Sequence, residues 1–428
     1  MHAYEGMVPV RVEEKLISAL QHCPAACLPL LPNVTKLEWS EYSHAALQDS
    51  CISLLRHFTG PAVATVTLSL MRWPTWFSVE LATLTDLPRL CPNVTSFSLA
   101  LHSRDYEPSE EVGRMLAQWP KLRFLRTCAI AQPGMDELFS QGTLNSLYID
   151  HHKSPPLYSG AIPDTVSELT LDVAGSTLCT RLLQNMYASP SKFHLLISTM
   201  DGQAEPDIEE MFHLLPRRLD TSRLLSLTIQ PKARLFGIPI RHALELRKPL
   251  VSAIVEFGAL RELDLDFLCT AQLSDADFAS LAGSLTQLRR LQAGTAHESI
   301  TRPRPAASIR AVIEVLRCCK HLETLHIVFD GSIPPPGCST VEDGKVALSE
   351  ELVLQGWGVS NRRITELCVG YSPIGDATIN ALASCLKSIM PRLIQIERKD
   401  RDEEWGLVQD ILELRSNGRY PSVGAVEM

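Results

Sequence analysis

The sequence lacks the features that mark membrane proteins and nucleic-acid-binding proteins. Aromatic residues make up 6% of the chain, and its 40 Lys and Arg residues are outnumbered by 49 Asp and Glu residues, for a net charge of −9. This balance argues against nucleic acid as a partner, because binding to a phosphate backbone requires an excess of positive charge. The most apolar stretch, residues 61–84, contains Pro61, Arg72, Pro74 and Glu80, so it predicts no transmembrane helix and no membrane partner.

Cysteine pairs and an export signal are also missing. The twelve cysteines form no C-x-x-C pair, and residues 1–16 lack the basic start and apolar run of a signal peptide. Scattered cysteines in such a chain are typical of buried thiols in a reducing compartment. The sequence therefore predicts a cytoplasmic or nuclear protein.

The motifs of common catalytic and cofactor sites do not occur. There is no H-E-x-x-H, G-x-S-x-G or Walker A pattern. GWG at 356–358 begins like a dinucleotide fingerprint, but Asn361 stands where the third glycine belongs. Asp150, His151 and His152 are metal-ligand types, yet no second cluster accompanies them, so a solvent-facing turn is favoured. We expect no catalytic residue, no cofactor and no metal ligand, and therefore no enzyme.

Leucine is the residue in excess, with 63 copies among 428 residues, about 15%. Many of these leucines recur in one template, x-L-x-x-L-x-L, along the whole chain. The copies are NVTKLEW (33–39), AVATVTL (62–68), NVTSFSL (93–99), KLRFLRT (121–127), TLNSLYI (143–149), TVSELTL (165–171), RLLSLTI (223–229), ALRELDL (259–265), QLRRLQA (287–293), HLETLHI (321–327) and RITELCV (363–369). RLIQI (392–396) is a weaker copy, and we interpret FHLLIS (193–198) as a degenerate one.

The spacing of these copies predicts the fold. The first apolar positions of successive copies lie 22 to 42 residues apart, several of them 28 or 29, and one step of 58 equals two periods. Such a period, with one strand and one helix per unit, is typical of leucine-rich repeats. We predict an α/β leucine-rich-repeat solenoid with irregular repeats of about 28–30 residues, similar to ribonuclease inhibitor.

Local patterns support one strand and one helix per repeat. The last apolar residues of ALRELDL (259–265) are two apart, the period of a strand, and are expected to face the core. Residues 273–288 carry apolar side chains at helical spacing, and Ser274 followed by Asp277 resembles a capping box. Ser308 is an N-cap candidate for the next helix.

The chain is expected to have three parts. Residues 1–30 are predicted to form an N-terminal helical cap, residues 31–396 the solenoid, and residues 397–428 a charged, solvated helix with a tail. Stretches rich in Pro, Gly and Ser are expected to be loops that lengthen single repeats. They are residues 151–164, 297–308 and 329–345.

The polar side chains at outward strand positions are the candidate binding surface, because such solenoids bind partners along an extended concave sheet. Glu262, Asp264 and Asp266 give the densest charge and predict an acidic groove for a basic segment of a partner protein. The alternative is that these positions are polar only because they face water. The predicted partner-binding residues are Glu168, Asp172, Glu262, Asp264, Asp266, Arg290 and His326.

The repeats resemble the leucine-rich region of the fungal F-box protein family in the order of their parts: a helix, a Cys or Trp, a proline and then the template. LPNVTKLEW, CPNVTSFSLAL and WPKLRFL carry the resemblance, with RITELCVGYSPIGDATINALA as a C-terminal unit, over roughly residues 20–396. The resemblance implies repeats that capture a substrate, and an F-box that binds a Skp1-type adaptor of a cullin ubiquitin ligase. Only about thirty residues precede the first template copy, without an L-P-x-E-I-type helix start, so we expect the adaptor-binding half to be missing.

The sequence thus predicts a non-catalytic protein–protein interaction module. By resemblance, it is the substrate-recognition part of an F-box-like ubiquitin-ligase adaptor. A Skp1-type adaptor is expected as a partner only if an F-box lies upstream. The alternative is a leucine-rich-repeat scaffold or regulator unrelated to ubiquitination.

Overall fold

Two units make up the chain in the computed structural model: unit 1 (Met1–Ser159) and unit 2 (Gly160–Met428). No helix within the described part of either unit is long and apolar enough to cross a membrane. The structure describes residues 19, 29–40, 51–70, 78–101, 110–128, 130–151, 158–197, 208–231, 248–296, 303–340, 346–348, 356–398 and 403–416.

Unit 1 contains parallel strands that pair in chain order. Between them in sequence lie a 3-10 helix (Cys51–His57) and the helices α1 (Ser78–Leu90), α2 (Glu110–Leu116) and α3 (Gln132–Ser140). The strands within the described residues are β1 (Lys36–Ser40), β2 (Thr65–Leu70), β3 (Ser96–Leu101), β4 (Phe124–Cys128) and β5 (Ser146–His151).

Unit 2 continues the same alternation of strand and helix. Its strands are β6 (Gly160–Ala161), β7 (Glu168–Val173), β8 (Met186–Tyr187), β9 (Lys192–Ile197), β10 (Ser226–Pro231), β11 (Glu262–Leu265), β12 (Arg290–Ala293), β13 (Thr324–Ile327), β14 (Cys338–Thr340), β15 (Val346–Leu348), β16 (Glu366–Gly370) and β17 (Gln395–Arg398). Its helices are α4 (Ser176–Asn185), α5 (Ile208–Arg218), α6 (Lys248–Ile254), α7 (Asp275–Ser284), α8 (Ile309–Cys318), α9 (Ile379–Ile389) and α10 (Glu403–Ser416).

The main sheet of unit 2 is parallel. Its order is β7-β9-β10-β11-β12-β13-β16-β17, while β6 pairs with β8 in parallel and β14 pairs with β15 antiparallel. Parallel neighbours need a crossover between them, and in most repeats the helix supplies it. Every predicted copy of the template forms a strand, including FHLLIS in β9 and RLIQI in β17. The chain is an α/β leucine-rich-repeat solenoid, as predicted.

The template leucines form the core. Leu260, Leu263 and Leu265 are 0%, 0% and 1% exposed, and the equivalent Leu288 and Leu291 of the next repeat are 0% and 1% exposed. Each such leucine stabilises the fold by about 1.5–3 kcal/mol through burial. The excess of leucine is therefore explained by one core layer that recurs in each repeat.

Side-chain caps begin two of the helices where the sequence predicts them. The Ser274 hydroxyl accepts from the Asp277 backbone N–H at 3.4 Å, and the Asp277 carboxylate accepts from the Ser274 N–H at 2.9 Å, which confirms the capping box. The Ser308 hydroxyl accepts from the Arg310 N–H at 3.2 Å and caps α8.

The charged C-terminal segment is a docked helix rather than the solvated one that we expected. On α10, Trp405, Val408 and Leu412 are 1%, 0% and 1% exposed. The Trp405 ring meets Phe329 edge-on with centroids 5.8 Å apart, and its indole N–H donates to the Ser372 carbonyl at 2.7 Å. These residues are spaced three and four apart, so the helix buries one apolar stripe beneath its charged side.

The predicted division into a cap, a solenoid and a C-terminal part stays a prediction. Of the predicted cap, only residues 19, 29 and 30 are described, and the predicted tail beyond 416 lies outside the described residues. The same holds for 152–157, 297–302 and 341–345 of the three predicted loops.

Candidate partner-binding face

One side of the unit 2 sheet presents the side chains that alternate with the core residues, and we call it the unit 2 open face. In β11, for example, Glu262 and Asp264 alternate with the buried Leu263 and Leu265. Its members are Glu168, Thr170, Asp172, Lys192, His194, Leu196, Ser226, Thr228, Gln230, Glu262, Asp264, Arg290, Gln292, Thr324, His326, Glu366, Cys368, Gln395 and Glu397.

The first row of this face mixes acidic and basic side chains. The register places Glu168 opposite Lys192, Lys192 opposite Ser226, Ser226 opposite Glu262, and Glu262 opposite Arg290. Lys192, Glu262 and Arg290 are exposed, and the Glu168 side chain is 44% exposed. Neighbouring strands lie about 4.8 Å apart, so opposite charges stand beside one another. The row is therefore mixed in charge, and the predicted acidic groove includes basic positions within it.

Glu262 is the exposed member of the predicted acidic triple. Its carboxylate accepts a hydrogen bond from the Ser226 hydroxyl at 3.0 Å. The carboxylate is held toward β10 while Arg290 lies opposite on β12. The side chain is thus positioned before any partner binds, which lowers the entropy cost of binding.

Asp264 is more enclosed, and two protein donors occupy its carboxylate. The Gln230 amide donates to Oδ2 at 3.0 Å, and the Asp266 backbone N–H donates to Oδ1 at 3.1 Å. Burial raises the pKa of the Asp264 carboxyl, and the charge of Asp266 adds to this effect, although these hydrogen bonds offset part of it. Asp264 is therefore less available to a partner than Glu262.

Asp266 lies just past the end of β11 and joins neighbouring repeats. Its Oδ1 accepts from the Thr295 N–H at 2.9 Å and from the Thr295 hydroxyl at 2.5 Å, and its Oδ2 lies 3.6 Å from Nδ1 of His326. Burial alone raises the pKa of this carboxyl, but the hydrogen bonds from His326 and Thr295 outweigh burial and hold the pKa below its ordinary value. Asp266 is 9% exposed, so its main contacts are within the protein.

His326 sits between two polar neighbours on the second row. The Gln292 amide nitrogen lies 2.9 Å from Nδ1 of His326, and Asp266 approaches the same nitrogen. The His326 side chain is 22% exposed. The structure thus brings together Asp264 on β11, Asp266 just past its end, Arg290 on β12 and His326 on β13. That these residues bind a partner stays a prediction.

The two predicted residues on β7 differ from each other. Glu168 is accessible, and its Oε1 lies 3.8 Å from Nε2 of His194 on the next strand. Burial lowers the pKa of His194, and this effect outweighs the opposing attraction of Glu168. Asp172, in contrast, is 0% exposed and is not accessible to a partner. We therefore leave Asp172 out of the proposed binding surface.

Sequence reasoning missed Lys192 and His194 because β9 carries a degenerate copy of the template. The signal was present, since Phe193, Leu195 and Ile197 alternate and all are buried. The step of 58 residues across this copy also equals two repeats. Treating it as a full repeat places Lys192 and His194 on the open face.

The open face offers little for covalent or metal chemistry. The register places Cys368 beside His326, but burial raises the pKa of the Cys368 thiol, so it stays protonated and a poor nucleophile near neutral pH. Within the described ranges, no group of three or more His, Cys, Asp and Glu is arranged to hold a metal ion. What the arrangement supplies is a set of positioned charges and hydrogen-bonding groups.

Two solved structures of bacterial leucine-rich-repeat proteins are similar to this chain at a low level. The leucine-rich repeat-containing protein LegL7 from Legionella pneumophila is 13% identical, with a TM-score of 0.39, over 91% of this chain and 99% of that one. An internalin, InlF, from Listeria monocytogenes is 14% identical, with a TM-score of 0.39, over 92% of this chain and 91% of that one. No protein-family model and no curated protein matches the chain. The fold class follows from the strand register and repeats of the chain itself.

Proposed function

We propose that the chain is a non-catalytic protein-interaction module that binds its partner along the first row of the unit 2 open face. Repeat proteins of this class use extended sheet faces for binding. The observation that carries the proposal is the exposed row of Glu168, Lys192, Glu262 and Arg290, held in register by parallel strands. Charges fixed in this way favour one partner and one orientation over others.

The partner is a protein segment with basic residues. Exposed Glu366 and Glu397 on β16 and β17 add negative charge to the face, whereas Lys192 and Arg290 are its basic members. Glu168 and Glu262 are three strand spacings apart, about 14 Å. An extended segment advances about 3.3 Å per residue, so basic residues roughly four positions apart match both carboxylates.

We further propose, from the F-box-like cadence of the repeats, that the captured protein is a ubiquitination substrate. CPNVTSFSLAL and WPKLRFL are the segments that support this step. In this proposal the unit 2 open face holds the substrate, and a Skp1-type adaptor connects the assembly to a cullin ligase only if an F-box lies upstream. The alternative function is a scaffold unrelated to ubiquitination. It would bind its partner on the same face but would bind no adaptor.

Affinity purification with mass spectrometry, from the cells that make the protein, tests both steps. The variant Glu168→Lys with Glu262→Lys is compared with the wild type and with a control, Glu209→Lys with Glu256→Lys, which reverses two exposed carboxylates away from the open face. We expect the wild type and the control to recover the same partner and the open-face variant to lose it. If all three forms recover the same amount of partner, the unit 2 open face is not the binding surface.

The same experiment also shows whether a Skp1-type adaptor is recovered with the chain. Each form is also prepared with an extension upstream of Met1, and recovery of a Skp1-type adaptor and a cullin with the extended forms supports the ubiquitin-ligase role. Recovery of a partner without them supports the scaffold and rejects the adaptor step, while the binding face stands.

A further inference from the structure

Unit 1 has its own open face, and its chemistry differs from that of unit 2. We define the unit 1 open face by the outward side chains of β1 to β5. On β2 and β3 these are mostly small hydroxyl groups, so the centre of the face is polar but uncharged. The members are Lys36, Glu38, Ser40, Thr65, Thr67, Ser69, Ser96, Ser98, Ala100, Phe124, Arg126, Cys128, Ser146, Tyr148 and Asp150.

Arg126 is the central cation of this face. The register places it opposite Tyr148, and its guanidinium carbon lies 4.3 Å from the centroid of the Tyr148 ring. Its Nη2 is 4.0 Å from an Asp150 carboxylate oxygen, beyond hydrogen-bond distance. The Arg126 side chain is 38% exposed. The stacked ring thus orients a cation to which the Asp150 carboxylate makes no hydrogen bond.

An exposed aromatic ring lies on the same strand. Phe124 is 36% exposed and occupies the outward position two residues before Arg126. Lys121 and Arg123, both exposed, come just before β4 in the chain. Aromatic side chains and arginine are enriched at the energetic centres of protein interfaces. This combination gives β4 the composition of a binding site rather than of an ordinary solvated strand.

The charge balance on the face indicates which partner fits. Its acidic members are Glu38 and Asp150, and each is near a basic member: Glu38 lies 2.5 Å from Lys36, and Asp150 lies 4.0 Å from Arg126. The four charged members of the face therefore balance, and the excess positive charge comes from exposed Lys121 and Arg123, which precede Phe124 in the chain next to the face. A basic segment, which suits unit 2, is repelled here, whereas an acidic segment is attracted.

We propose that the unit 1 open face is a second interaction surface, which binds an acidic protein segment with a carboxylate on Arg126 and an apolar side chain on Phe124. A partner carboxylate that meets the guanidinium at about 2.8 Å forms charge-assisted hydrogen bonds that the Asp150 contact does not supply. Because Tyr148 already orients the guanidinium, little side-chain entropy is lost on binding. The proposal is independent of the partner of unit 2.

Nucleic acid is the competing occupant, because arginine and aromatic rings also bind single strands. Binding of a single strand needs a positively charged groove that follows the backbone over several nucleotides. The basic residues next to Phe124 are Lys121, Arg123 and Arg126, which are close together in sequence and do not form such a groove along the face. The acidic segment is therefore favoured. An RNA oligonucleotide is included in the test as the direct alternative.

Fluorescence anisotropy on the full chain is the test. The probe is a labelled glutamate-rich peptide with interspersed phenylalanine, compared with the matching glutamine-rich peptide and with a labelled single-stranded RNA. We expect binding of the acidic peptide only, weakening as salt rises. Arg126→Gln should weaken it about tenfold or more, the scale of a lost hydrogen bond to a charged group. The control Arg89→Gln, on α1 with a 74% exposed side chain, should leave it unchanged.

A second variant keeps the test decisive if Arg126→Gln unfolds the chain. Asp150→Asn removes the carboxylate nearest Arg126, so we expect the acidic peptide to bind several-fold more tightly, a gain that a merely structural role does not produce. Thermal melts of each variant confirm folding. Equal binding of both peptides, tighter binding of RNA, or no change in Asp150→Asn would each overturn the proposal.

Discussion

The side-chain amide of Gln409 on α10 pairs with the backbone around Ile396 on β17. Oε1 of Gln409 accepts from the Ile396 N–H at 2.8 Å, and its Nε2 donates to the Ile394 carbonyl at 2.7 Å. Among the described residues β17 is the last strand in the sheet order, so no further described strand pairs with these backbone groups. The side chain of Gln409 therefore hydrogen-bonds edge groups of β17 as a neighbouring strand would. An edge without such partners is a site where another chain can pair.

We expect Gln409→Ala to lower the free energy of unfolding by about 1–2 kcal/mol, since it leaves edge groups without their hydrogen bonds. We also expect the variant to associate as its concentration rises, because the exposed edge is a template for strand pairing. Denaturant titration and light scattering measure the two effects. Gln395→Ala, an exposed position on the open face of the same strand, is the control. A Gln409→Ala chain as stable and as monomeric as this control would show that the edge needs no cap.

Two glycines in helices should respond in opposite ways to alanine. A Cβ on Gly113 of α2 would lie 2.4 Å from the backbone Cα of Gly134 on α3, so the helices must separate. We expect Gly113→Ala to destabilise the chain by about 1–3 kcal/mol, the usual cost of overpacking. Gly283 of α7 is exposed, with no atom within 4 Å of an added Cβ. Gly283→Ala should therefore stabilise the chain by about 0.5–1 kcal/mol through helix propensity.

Urea denaturation of both glycine variants gives the comparison. Loss of stability in both would mean that Gly283 has a role that its open surroundings do not show. No loss in Gly113→Ala would mean that α2 and α3 pack less closely than the structure describes.

The repeat pattern was enough to predict the core and every strand that carries a template copy. It did not predict the short pairs β6–β8 and β14–β15, and β6 and β14 lie within predicted loops. Each copy places leucines such as Leu263 and Leu265 two apart, and burial of these side chains is a strong, local signal. The caps at Ser274 and Ser308 were predictable for the same reason, because a helix start is decided within a few residues. The docking of α10 was not, because Trp405 finds Phe329 and Ser372 far away in sequence.

The sequence predicted which residues lie on the unit 2 open face, but not the charges and hydrogen bonds that surround each of them. Alternation along β11 identified Glu262 and Asp264 as outward residues. Their environment depends on neighbours from other repeats, such as Arg290 opposite Glu262 and Gln230 bonded to Asp264. Aligning the copies residue by residue would have shown the first pair. The burial of Asp172 was not predictable from the template, because alternation along β7 places it among the outward residues.

The indole of Trp405 should be the main anchor of α10. Trp405→Ala removes a fully buried ring and its hydrogen bond to Ser372, so we expect a loss of about 3–5 kcal/mol. Trp405→Phe keeps most of the packing with Phe329 and should cost less. Leu407→Ala, at a 51% exposed position on the same helix, should change stability by no more than about 0.5 kcal/mol.

Hydrogen exchange locates the effect. Loss of Trp405 should speed exchange in Gln395–Arg398 (β17), because α10 carries the Gln409 amide that bonds Ile396. If exchange in β17 is unchanged while global stability falls, α10 and β17 are not coupled through this contact.

Asp264 and Asp266 should give the chain opposite responses to pH, although they are two residues apart. The pKa of Asp266 is lowered in the folded state, so its contribution to stability is present above the unfolded carboxyl pKa, about 4, and is lost as the pH falls through the folded value. The pKa of Asp264 is raised, so its contribution is present below that unfolded pKa and is lost as the pH rises through the folded value.

Denaturation between acidic and neutral pH therefore separates the two carboxylates. Asp266→Asn should cost about 1.5–3 kcal/mol near pH 7, because Thr295 and His326 lose a charged partner, and the cost should shrink as the pH falls. Asp264→Asn should have its smallest cost near pH 7, or even stabilise there, because it removes a charge that burial disfavours. The same slope in both variants would contradict the assignment, since only the Asp266 carboxylate is paired strongly enough to favour its charged form.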